Sequence, residues 1–84
     1  MSFAIGDMVD YYGPVYFSDR ADLKKIFTGE IVDVSTVHGN YTVLATRVYN
    51  VEGWHVWKGK RYRVIRPDRL RHVHPLDQLA GAAE

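Results

Sequence analysis

Cysteine is absent from this 84-residue chain. That absence removes a disulfide scaffold, a Cys-ligated zinc domain and a thiol enzyme together. Apolar residues are plentiful but never contiguous, and no run approaches the ~18 residues of a membrane-spanning helix, so no membrane partner is expected. A Ser-His-Asp spacing and a glycine-rich phosphate loop are also missing, so no catalytic residue is assigned and no enzyme is expected. Met1 to Ile5 is too short for the apolar core of a signal peptide, and Asp7 follows at once. A cytoplasmic location is the expectation, and the Asn40-Tyr41-Thr42 glycosylation pattern is read as coincidental.

What is present favours strands. The length suits one domain, read as residues 1–76, with a weakly ordered tail at 77–84. Hydrophobic residues make up 46% of the chain, and β-branched and aromatic types dominate from Tyr41 to Val64. Met8–Tyr12 alternates, with Val9 and Tyr11 on one face and Asp10 on the other. Glu30–Ser35 turns at His38-Gly39-Asn40 into Tyr41–Val48, a hairpin pattern. Trp54–Trp57 reads as extended, with its two tryptophans on opposite sides. The turn Lys58-Gly59-Lys60 leads to a fourth strand over Arg61–Arg66, which Pro67 interrupts. Leu70–Val73 is a short last strand. The stretch Ser18–Ile26 is compatible both with one or two helical turns capped by Ser18 and with a long loop.

Charge is unevenly spread. From Lys58 to His74 there are seven Lys/Arg against Asp68 alone, a formal +6. The remainder holds four Lys/Arg and nine acids, a formal −5. A basic late segment on an acidic body points to an anionic partner. Arg61 and Arg63 share one face of their strand, with Tyr62 and Val64 on the inward side. The candidate binding residues are Trp54, Trp57, Lys58, Lys60, Arg61, Arg63, Arg66, Arg69 and Arg71. Arginines and a tryptophan together suit a protein interface, and equally phosphate neutralisation with base stacking on single-stranded nucleic acid. Arginines on an exposed strand also guard against edge-to-edge pairing.

Other polar residues carry less. His72 and His74 would give a metal two ligands, and with no third at useful spacing neither a metal nor a cofactor is expected. His38 and His55 read as turn and strand residues. Asp7 is expected to order a turn, and exposure is expected to account for Asp10 and Asp33.

Gly6-Asp7-x-Val9, Gly29-x-Ile31, Tyr41-x-Val43 and Val64-Ile65-x-Pro67-x-x-Leu70-x-x-Val73 together resemble the skeleton of the SH3-like superfold. The resemblance spans residues 6–73. It implies an all-β, five-stranded SH3-like barrel whose long first loop holds a short helical turn or none. Gly29-x-Ile31 is similar to part of the KOW-type RNA-binding barrels, although Lys25 stands where those have a first glycine. The segment Tyr62–Pro67 resembles the pore motif of the type II plasmid dihydrofolate reductases, with Val64 in the glutamine slot and Arg66 in the tyrosine slot. The leading expectation is a non-catalytic module binding an acidic protein surface through its basic, Trp-containing face. Nucleic-acid binding through the same ribbon is the alternative, and a reductase-like oligomer a minor one. Homo-oligomerisation is a separate expectation, and compact size with the superfold's distribution suggests a bacterial or phage source.

Overall fold

The β-forming runs pair into one antiparallel sheet in the computed structural model, which describes residues 3–14 and 23–73. Its strands are β1 (Met8–Pro14), β2 (Leu23–Ser35), β3 (Asn40–Val48), β4 (Arg61–Val64) and β5 (Leu70–His72). They lie side by side in the order β4-β3-β2-β1-β5. The protein is therefore an all-β domain, and among the described residues no α-helix occurs. None of the helical structure described is long and apolar enough to cross a membrane.

Three register shifts bend this sheet. Tyr11 pairs with Phe27 and Tyr12 with Lys25, so Ile26 is the extra residue on β2. A bulge there breaks strict alternation, and both Ile26 and Phe27 are consequently buried. Between β2 and β3 the extra residues are Thr46, on β3, and Val32, on β2. Bulges increase local twist, so the two long central strands curl around one core. That core comprises Phe3, Val9, Ile26, Phe27, Ile31, Val43, Ala45, Val64 and Leu70. Phe3 packs edge-on against Tyr41 at a ring separation of 5.5 Å and lies 4.7 Å from the His72 ring.

Several sequence expectations need correction. Leu23–Ile26, the second half of the candidate helical turn, belongs to β2. Residues 18–22 of that segment lie outside the described residues, as do His74 and the tail. β2 starts seven residues earlier than Glu30 because Leu23, Lys24 and Lys25 find partners in Pro14, Gly13 and Tyr12. Trp54–Trp57 is not a strand. Its backbone turns through the Trp54 N–H to Val51 carbonyl bond at 3.1 Å and the Lys60 N–H to Trp57 carbonyl bond at 3.3 Å. β4 ends at Val64, two residues short of the expected boundary. The break at Pro67 is a 3₁₀ turn, Pro67–Arg69, closed by the Arg69 N–H donating to the Arg66 carbonyl at 3.0 Å.

Candidate binding cleft

Trp54 is placed by the chain around it. Its indole Nε1–H donates to the Pro14 carbonyl at 3.0 Å. Its ring meets Tyr11 edge-to-face at 5.9 Å. A Cβ on Gly13 would come within 2.4 Å of that ring, so only glycine lets Trp54 lie this close to β1. The tryptophan is thus half-buried and held rigid by β1, rather than displayed as a free platform.

Beside it opens a cleft of about 270 Å³. Tyr11, Pro14 and Trp54 contribute from one side, and Val64 and Ile65 from the other. Three cations line it as well: Arg63 from β4, Arg66 just past its end, and Arg69 from the 3₁₀ turn. β1 and β4 are separated in the sheet by β2 and β3, so this juxtaposition comes from the curl. Ile65 is 73% exposed here, an apolar surface open to a ligand.

The three arginines differ in their neutralisation. Arg66 pairs with Asp68 at 3.1 Å, with both groups largely solvent-facing; such a pair contributes at most ~1 kcal/mol. Arg63 and Arg69 make no ion pair with any described residue. Arg69 is half-buried, and a partly desolvated guanidinium with no counter-charge among the described residues favours an incoming anion.

The remaining residues of the predicted ribbon fall elsewhere. Trp57 is 56% exposed, with Lys60 Nζ 5.2 Å from its ring centroid and the His55 ring 6.4 Å away. Its backbone N–H donates to the Tyr62 hydroxyl at 2.8 Å, which ties this loop to β4. Lys58, Lys60 and Arg61 are exposed around that turn and the start of β4. Arg71, on β5 at the opposite end of the sheet order, lies over the Tyr12 ring at 5.0 Å. The structure therefore gathers Trp54, Arg63, Arg66 and Arg69, and leaves Trp57, Lys58, Lys60, Arg61 and Arg71 outside the cleft.

Sequence reasoning missed a second polar site. Asp10, expected to be exposed, is only 4% accessible. It stands in the cross-strand row Arg71–Asp10–Thr28–Arg47, which runs over four strands. The Thr28 hydroxyl donates to Asp10, Lys25 Nζ lies 3.6 Å from its carboxylate, and Thr28 also bonds the Tyr49 hydroxyl at 3.0 Å. Lys25 and Arg47 each sit 5.4 Å from the Tyr49 ring centroid. A charge on an alternating strand carries no mark of which cross-strand neighbours will enclose it, so the sequence held no signal for this burial.

Asp7 does order a turn: its carboxylate accepts the Ala4 N–H at 2.8 Å. Asp33 is exposed. Among the described residues no group of three or more His, Asp or Glu is placed to hold a metal ion. The class defined by fold and site is thus a small antiparallel β domain with an arginine-rimmed aromatic cleft. Comparison with known proteins returned no matching family model, no matching curated protein and no matching solved structure.

Proposed function

We propose that this protein is a non-catalytic binding module whose cleft captures an acidic segment of a partner protein. One observation carries the reading: two guanidiniums with no ion pair to any described residue, Arg63 and Arg69, border an apolar and aromatic cavity. A carboxylate meeting Arg69 gains a charge-assisted bond in a partly dry setting, while Trp54, Tyr11 and Ile65 take an apolar side chain. The SH3-like reading of the fold belongs to the same proposal. It is supported by the strand order, the long bulged β2 and the 3₁₀ turn between the edge strands β4 and β5.

The test is binding of a fluorescent glutamate- and leucine-containing peptide to the protein and to Arg63→Glu/Arg69→Glu. The double variant should bind at least ~10-fold more weakly, as expected when charge-assisted bonds of about 1.5–3 kcal/mol each are lost. Its urea midpoint should stay unchanged, because neither arginine has a described ionic partner to lose. Equal binding by both proteins removes the cleft as the site.

A second reading has its own observation, the exposed Trp57 ring with Lys60 against it. Such a tip suits base stacking beside a phosphate. It predicts affinity for a mixed-sequence oligonucleotide that falls linearly in log salt and is lost in Trp57→Ala.

A further inference from the structure

We infer that the occupant of the cleft docks as an added β-strand along the free edge of β4, and that it is an extended protein segment alternating acidic and apolar residues. This rests on the reading of the cleft as an acidic-peptide site. Among the described residues β4 is terminal in the sheet and pairs with β3 alone. The direction of its backbone groups follows from the ladder. Ala45 donates to the Lys60 carbonyl at 2.9 Å and accepts from the Gly59 N–H at 2.7 Å. In the same register, Tyr62 faces Val43 and Val64 faces Tyr41. Antiparallel alternation then turns the N–H and C=O groups of Arg61 and Arg63 away from β3. Neither residue makes a backbone hydrogen bond to any other described part of the chain. Arg63, Val64, Ile65 and Arg66 also line the cleft in sequence, so the open edge runs along it.

Charge selects what pairs there. A second copy of β4 laid antiparallel on the first would set arginine against arginine, and directly opposed like charges are destabilising. An acidic strand meets the opposite situation. Residues facing Arg61 and Arg63 would lie on the exposed side of the sheet, where carboxylates fit. The intervening residue would lie on the side of Tyr62 and Val64, within reach of Ile65 and the cleft. The recognition pattern is therefore acid–apolar–acid at strand spacing, read by backbone pairing together with Arg61, Arg63 and Arg69.

The test uses the full chain, isotopically labelled, and the acetylated and amidated peptide Glu-Leu-Glu-Leu-Glu. At saturation the amides of Arg61 and Arg63 should exchange at least ten-fold more slowly, with those of Tyr62 and Val64 little changed. The same peptide N-methylated at alternate residues should bind at least ten-fold more weakly, and Lys-Leu-Lys-Leu-Lys should not bind. Peptide binding that Arg69→Glu abolishes, but that leaves Arg61 and Arg63 exchange unaltered, overturns strand addition and retains the cleft. Absence of saturable binding by the glutamate peptide overturns the cleft reading itself. Protection of Arg61 and Arg63 that depends on protein concentration without peptide would mean self-pairing, and also overturns the proposal.

Discussion

Two glycines hold positions that any side chain would occupy at a cost. Gly13 lies under the Trp54 ring, with Ile26 Cγ1 3.0 Å from a would-be Cβ. Trp54 is fixed by its bond to the Pro14 carbonyl and cannot swing away freely. Gly13→Ala should therefore destabilise the protein by about 1–3 kcal/mol, the usual effect of overpacking. It should also shift tryptophan emission to the red as the ring is pushed toward water. An unaltered spectrum and urea midpoint would show that Trp54 does not rest on Gly13. Gly29 is tighter still, since its Cβ would fall 2.3 Å from the Leu44 carbonyl oxygen, a backbone atom. At this scale the sequence is mute: Gly13 before Pro14 reads as a strand end, and nothing local announces a tryptophan 41 positions later. Asp10 is a similar case, since its contacts are to Thr28 and Lys25, which reach it from the neighbouring strand β2.

At the scale of elements, alternation and turn residues placed β3, β5 and the Pro67 break well, because those segments obey local rules, whereas β1 runs two residues past the expected Tyr12 to Pro14. β2 was half hidden. Its first residues, Leu23-Lys24-Lys25, have the composition of a helix end, and their strand state comes from partners on β1. The bulge at Ile26 likewise puts two consecutive apolar residues inside, which a period of two does not anticipate. Trp54–Trp57 shows the reverse, strand-like composition in a looping segment fastened by single bonds. One of those bonds can be isolated. In Tyr62→Phe the Trp57 N–H loses its acceptor, at a cost of about 0.5–1.5 kcal/mol. The Trp57 amide should exchange faster while Val43, within the central ladder, keeps its protection. Equal slowing or equal acceleration at both would mean the loop and β4 do not separate as units.

For the whole molecule, stability should grade outward from the centre of the sheet. β2 pairs with β1 over its first half and with β3 over its second, is flanked on both sides from Phe27 to Glu30, and carries buried Phe27 and Ile31. β5 has three residues and β1 as its single described partner. Native-state hydrogen exchange should accordingly give Ile31 and Val43 opening energies near the global value, and His72 a much lower one. Uniform protection across β2 and β5 would indicate that the edge opens only with the whole sheet.

The β character and the excess of positive charge late in the chain were properties of the sequence alone, because side-chain type and spacing fix both. Which cations act together was decided by the curl of the sheet. Chain neighbours Lys60 and Arg71 went to a loop and to the far edge strand, whereas Arg63, Arg66 and Arg69 converged on Trp54. The physical reason is that bulges set how a sheet bends, and a bulge depends on how two distant strands align rather than on the residues of either one.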